Sequence, residues 1–122
     1  MVCLPEMVTR GKVCPSVIEL IDLFPTVTEL AGLKLPKGLE GKSFVPLIQN
    51  PMHRWDRVAH TQSGEGRNRS VCNGRFRYTQ WADGAVELYD HNTDPGEWYN
   101  QSDNPVYSSV IAELKAKLLP LP

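Results

Sequence analysis

Asn73-Gly74 separates two strand-like runs, Ser70-Val71-Cys72 and Arg75-Phe76-Arg77-Tyr78-Thr79-Gln80-Trp81. An Asn-Gly pair in that setting is the strongest short-range hairpin cue, because both central positions of the favoured turn need positive φ. Side chains alternate across a strand, so Phe76, Tyr78 and Gln80 share one face, while Arg75, Arg77, Thr79 and Trp81 share the other. Ala82-Asp83-Gly84 then turns the chain into a further strand, Val86-Glu87-Leu88-Tyr89, and Val58 to Thr61 supplies a fourth. Short turns between consecutive strands leave one simple product, an antiparallel meander of three or four strands.

Helices flank this sheet. A short apolar run, Val17 to Ile21, reads as a short N-terminal strand or as the approach to a helix. Asp22 then caps a helix near residues 23–31, on which Leu23, Phe24, Val27, Leu30 and Ala31 fall on one face. Pro25 sits in its first turn, and Gly32 ends it in the left-handed conformation. Leu33 to Gly41 is a loop by its Pro and Gly content, and Ser43 opens a short helix through Ile48. Asn104-Pro105 starts a C-terminal helix near residues 105–119, with Val106, Val110, Leu114 and Leu118 recurring every four. The expected fold class is α+β, a small antiparallel sheet with that helix packed on one face.

A length of 122 residues suits one domain with one core. Thirteen basic residues against fourteen acidic leave no positive field for nucleic acid or an anionic membrane. No apolar run is long enough to span a bilayer, and MVCLPEMVTR lacks the basic-then-apolar pattern of a signal peptide. Cys3, Cys14 and Cys72 are an odd number without metal-site spacing, and read as small buried hydrophobes rather than a disulfide framework.

No catalytic constellation is complete. His60 and Cys72 are the only conceivable base and nucleophile, and nothing in the sequence brings them together. The loop Ser63-Gly64-Glu65-Gly66-Arg67-Asn68-Arg69 combines glycines, which let backbone N–H groups converge, with two arginines. That combination suits an anion, although an ordinary loop has the same composition. Asp90, Asp94 and Glu97 lie around Asp94-Pro95-Gly96, where a turn competes with cation binding. Asn68-Arg69-Ser70 and Asn100-Gln101-Ser102 fit the glycosylation pattern.

Taken together, the motifs resemble the C-terminal portion of type I sulfatases, in the iduronate-2-sulfatase-like branch. VIELIDLFPTVTELAGL (Val17 to Leu33) carries Asp22, Pro25-Thr26 and Ala31-Gly32-Leu33 at recurrent positions of that family. Gly38-Leu39-Glu40-Gly41-Lys42-Ser43-Phe44-Val45-Pro46-Leu47 is similar to the segment that follows. Gly66-Arg67-Asn68, Arg75-Phe76-Arg77-Tyr78, Ala82-Asp83-Gly84, Glu87-Leu88-Tyr89-Asp90 and Asp94-Pro95-Gly96-Glu97-Trp98 continue it in order.

The resemblance implies the C-terminal subdomain of an alkaline-phosphatase-like fold. Residues 1–50 would end the larger domain, and residues 56–122 would form the sheet with its helix. It implies a parent enzyme that hydrolyses sulfate esters of sulfated saccharides, such as glycosaminoglycans, using a formylglycine and a calcium ion held upstream. Neither element matches here. Cys3-Leu4-Pro5-Glu6-Met7 has Met7 where the family's motif needs Arg, and Cys14-Pro15-Ser16-Val17-Ile18 fails at both fixed positions. No catalytic residue, metal ligand or cofactor is therefore expected in this chain, which should be inactive alone. Arg67, Asn68 and Arg69 are the expected contribution to the substrate cleft, with Arg69 standing where that branch commonly has His. The expected partners are the missing N-terminal sulfatase domain and a sulfated saccharide. The parent family is usually exported, periplasmic or lysosomal. The alternative is a stand-alone, non-catalytic module that binds anionic sugars.

Overall fold

A computed structural model describes residues 2–121 and divides the chain into two compact units, Met1–Arg57 and Val58–Pro122.

The first unit is built around α1 (Leu23–Leu30) and α2 (Val45–Gln49). Its small core is Phe44, Leu47 and Ile48, with Leu4, Met7 and Trp55 against it. Gly32, at φ 69°, closes α1 as expected, and Leu33 N–H reaches back to the Thr28 carbonyl. Asp22 does not cap α1. It is 1% exposed, and its carboxylate accepts from the backbone N–H of Glu19 (2.9 Å) and of Lys42 (2.8 Å) and from Arg57 Nη1 (2.8 Å). Thr26 extends the tie: its hydroxyl donates to the Asp22 carbonyl and accepts from the Phe44 N–H. Gly41 lies so close to the chain at Ile21 that a Cβ there would collide with the Ile21 carbonyl. The recurrent Asp, Thr and Gly are thus a staple between the start of α1 and the loop entering α2.

The N-terminal strand does not form. Residues 17–19 carry no regular secondary structure, with Glu19 in the extended region, and Leu20–Asp22 is a single 3-10 turn. A strand needs a neighbour for its backbone groups, and among the described residues of this unit no strand is present. The Val17 carbonyl is taken instead by Trp55 Nε1 at 2.9 Å. Cys3 and Cys14 are exposed, against expectation, because this segment runs over the surface; Cys72 is buried.

The second unit is the meander: β1 (Ala59–Ser63), β2 (Asn68–Cys72), β3 (Phe76–Gln80) and β4 (Val86–Asp90), antiparallel in sequence order. The hairpin turn lies one residue later than the Asn-Gly cue implies. Asn73 N–H bonds to the Phe76 carbonyl, which centres the turn on Gly74-Arg75, and only Gly74 has positive φ (97°). Glycine at the first central position is the alternative hairpin turn. Asn73 serves it differently, its side-chain oxygen accepting from the N–H groups of Arg75 and Phe76.

One sheet face packs under α3 (Ser108–Lys115). Val71, Phe76, Tyr78, Leu88 and Leu114 form this core, flanked by Tyr107, Val110, Ile111 and Leu118. The Asn104 side chain accepts from Val106 N–H, but a 3-10 turn at Pro105–Tyr107 precedes the α-helix and rotates Val106 out to solvent. Below the packed face Arg75 grips Asp90 through two hydrogen bonds.

Candidate functional site

The opposite sheet face is polar. Strand register places Thr61 beside Ser70, Ser70 beside Thr79 and Thr79 beside Glu87, with Arg77 beside Tyr89 on the same side. These residues, with Ser63, Asn68, Arg69, Trp81 and Glu97, line an open cleft of about 250 Å³.

Each end of the cleft is organised by the turn beyond it. At the β1–β2 end, Gly64, Glu65 and Gly66 have successive positive φ values of 56°, 58° and 81°. The glycines suit that conformation and Glu65 tolerates it at the tip. Gly66 and Arg67 N–H groups bond to the carbonyls of Ser63 and Gly64, so they close the turn rather than converge on an anion. Asn68 then links two turns: its Nδ2 donates to the Ser63 hydroxyl, and its Oδ1 accepts from Ala82 N–H.

At the other end, Glu97 stands in the left-handed region at φ 57° and takes Arg77 Nε at 2.7 Å and His91 Nε2 at 2.6 Å on the same oxygen. Burial alone would raise its pKa, but hydrogen bonds from His91 and Arg77 outweigh burial and hold it below the usual carboxylate value. Among the described residues, no hydrogen bond engages the two terminal nitrogens of Arg77. The Tyr89 hydroxyl stays protonated, raised first by burial and then by the Glu87 carboxylate.

The DPGEWYN segment owes its pattern to the sheet edge. Asp94 accepts from Tyr99 N–H, and Gly96 leaves room for the Trp98 indole, which a Cβ would strike. The Asn100 side chain then pairs with β4 as a strand would, Oδ1 to Leu88 N–H and Nδ2 to the Val86 carbonyl, both at 3.0 Å. This covers an edge otherwise open to other chains.

Of the expected site residues, Asn68 and Arg69 both line the cleft, and Arg67 lies at the exposed hairpin tip near Glu65. The Arg69 side chain also donates to the Leu119 carbonyl at 2.9 Å and to Gln80 at 3.1 Å. His60 and Cys72 occupy opposite sheet faces, since Cys72 lies beside Ala59 and His60 beside Val71. Asp90, Asp94 and Glu97 are each engaged in ion pairs or turn bonds, and no group of three potential metal ligands occurs among the described residues. Arg77, Trp81 and Tyr89 are cleft residues that the sequence reading did not single out as site candidates. The alternation that put Arg77, Thr79 and Trp81 on one face was the available signal.

The model of the N-sulphoglucosamine sulphohydrolase C-terminal family matches residues 1–121. The chain belongs to that family. It is a type I sulfatase C-terminal portion, with the alkaline-phosphatase-like sulfatase fold. It is 37% identical over 109 residues to a sulfatase of Formosa agariphila, covering 89% of this chain and 21% of that protein. It is 32% identical to the Delta 4,5-hexuronate-2-O-sulfatase of Bacteroides thetaiotaomicron, covering 80% of this chain and 22% of the relative. The solved structure of a 2-O GAG sulfatase matches with TM-score 0.64 and 32% identity, over 79% of this chain and 22% of that one. The chain therefore spans about a fifth of the length of these relatives. A phosphonate monoester hydrolase of Agrobacterium radiobacter, 23% identical with TM-score 0.60 over 79% of this chain and 23% of that chain, shares the fold.

Proposed function

We propose that this chain is the substrate-wall portion of a sulfuric ester hydrolase acting on sulfated saccharides, and that it contributes no reacting group of its own. The polar sheet face carries this reading. Sugar recognition needs fixed hydroxyl and amide partners beside an aromatic surface. The cleft offers Ser70, Thr79 and Asn68 next to Trp81 and Tyr89. Arg77, braced through Nε by Glu97, keeps the N–H groups of its two terminal nitrogens for an acidic substituent, and Arg67 at the tip adds a second cation. Similarity to a hexuronate-2-O-sulfatase supports a sulfated uronic acid unit as the substrate class.

The chemistry of ester cleavage is assigned to the preceding portion of the polypeptide, where the formylglycine and calcium of such enzymes would reside. This chain's residues bind and orient. The test joins residues 1–122 to the preceding four-fifths of the Formosa sulfatase. The 122-residue chain alone should show no turnover of a sulfated unsaturated uronate disaccharide, and the fusion should show it. In the fusion, Arg77→Gln should raise KM and leave kcat within about twofold. An unchanged KM would reject the wall assignment. Saturable binding of that disaccharide by the chain alone, without turnover by the fusion, would favour the stand-alone sugar-binding module.

A further inference from the structure

Cys3 and Cys14 line one open cavity of the first unit, about 650 Å³ in volume, together with the core residues Phe44, Leu47 and Ile48. Both thiols are exposed, whereas Cys72 is buried in β2, its Sγ accepting from Gly74 N–H at 3.4 Å. The odd cysteine count therefore divides into an exposed pair and one enclosed thiol. The chain between the pair folds back on itself. Met7 N–H bonds to the Leu4 carbonyl and Lys12 N–H to the Thr9 carbonyl, and the Arg10 guanidinium reaches across the loop to the same Leu4 carbonyl at 3.4 Å. Gly11, at φ 76°, suits the second turn, and the Thr9 hydroxyl donates to the Ile48 carbonyl. This fastens the middle of the loop and leaves both cysteine-bearing ends outside any helix or strand. Such ends can shift to the Cα separation below roughly 7 Å that a disulfide needs.

We infer that Cys3 and Cys14 are a redox site, a pair of thiols that an anionic low-molecular-weight disulfide of the class of oxidised glutathione converts to an intrachain bridge. The inference is independent of the saccharide reading. One cysteine thiolate attacks a sulfur of the reagent, whose S–S bond breaks to release one glutathione thiolate. The second cysteine thiolate then attacks the protein sulfur of the mixed disulfide and expels the other glutathione. The two cysteines lose two electrons and two protons, and the reagent's two sulfurs leave as thiols. Arg10 and Lys12 border the cavity, so their charge draws an anionic reagent to it. The turns have already met much of the cost of closing the loop, which gives the second thiol a high effective concentration over a second reagent molecule. The bridge closes residues 3–14 into a ring beside Phe44, Leu47 and Ile48, and excess thiol reopens it.

The test exposes the 122-residue chain to oxidised glutathione at neutral pH, blocks the remaining thiols with iodoacetamide and maps the unreduced peptides by mass. The expected product is lighter by two hydrogens and carries one linked peptide, Cys3 to Cys14. It should exceed chains with glutathione on both cysteines by at least about tenfold. Cys72 should stay reduced, and excess reduced glutathione should restore both thiols. Cys3→Ser should leave Cys14 as a glutathione adduct with no linked peptide. The same reaction in urea is the structural control, because there Cys72 should join in both adducts and links. Double adducts without a linked peptide overturn the inference, and so does an unreacted pair. Bridges between chains, bridges that include Cys72 without urea, or a native product distribution identical to that in urea also overturn it.

Discussion

Arg75 holds Asp90 with both arms of its guanidinium, Nε to Oδ1 at 3.0 Å and Nη2 to Oδ2 at 2.8 Å, across the turn that joins β2 and β3. Asp90 is 1% exposed at the end of β4, and its Oδ1 also takes Asn92 N–H. The residue that shapes the hairpin turn thereby fixes the far end of the last strand.

This pair makes the sheet unit acid-sensitive. The Arg75 hydrogen bonds, against the opposing cost of burial, lower the pKa of Asp90, and Glu97 is also lowered in the folded state. Carboxyls with depressed folded values stabilise the fold above their unfolded values, and that stability is lost as pH falls through the folded ones. Thermal unfolding followed by near-ultraviolet circular dichroism should show a falling Tm below about pH 4. Asp90→Asn should lower Tm at pH 7 and flatten this acid slope. A slope unchanged by the substitution would assign the sensitivity elsewhere.

Asp22→Ala should unravel the staple of the first unit. It strands two backbone N–H groups and leaves Arg57 without its partner at Asp22, at a cost of about 3–5 kcal/mol. Hydrogen exchange over residues 19–44 should accelerate sharply, while β2 and β3 keep their protection. Gly41→Ala should act in the same region through the collision with Ile21, costing about 1–3 kcal/mol.

Arg69→Ala and Arg67→Ala should part company. Arg69 ties β2 to the Leu119 carbonyl beyond α3 and to Gln80, so its loss should cost about 1 kcal/mol and lower Tm by roughly 4–8 °C. Arg67 is exposed at the hairpin tip, so its loss should leave Tm unchanged. In the fusion enzyme Arg67→Ala should raise KM for an acidic sulfated sugar, and the absence of that rise would remove Arg67 from the site.

Asn100→Ala should open the β4 edge. Losing the bonds to Leu88 and Val86 costs about 1–2 kcal/mol and leaves unpaired strand groups. Light scattering at rising protein concentration should report self-association that the parent chain lacks. Asn100→Asp should rescue only part of it, because a carboxylate accepts from Leu88 N–H but cannot donate to the Val86 carbonyl.

The sequence by itself determined the meander, both longer helices and the helix stop at Gly32. These follow from short-range rules: alternation along a strand, three- and four-residue spacing on a helix, and turn residues between them. It also identified Asp22, Thr26 and Gly41 as positions that match the family's motifs without saying what they do. Only the tertiary structure showed that they are bracing, since Asp22 binds Lys42 at a separation of 20 residues and Thr26 binds Phe44 at 18. The same distance problem decided the site. Asn68 and Arg69 are neighbours in sequence and both line the cleft, yet Asn68 is held by Ser63 and Ala82 and Arg69 by Leu119 and Gln80, partners that adjacency in sequence does not show. Arg77, Glu97 and His91 are far enough apart to look unrelated, and one positive φ at Glu97 brings their side chains onto a single oxygen. The burial of α1 was decided in the same way. Periodicity finds an apolar stripe, but which side of a helix faces a core depends on the long-range bonds that hold it, and here Asp22 and Thr26 turn the stripe outward.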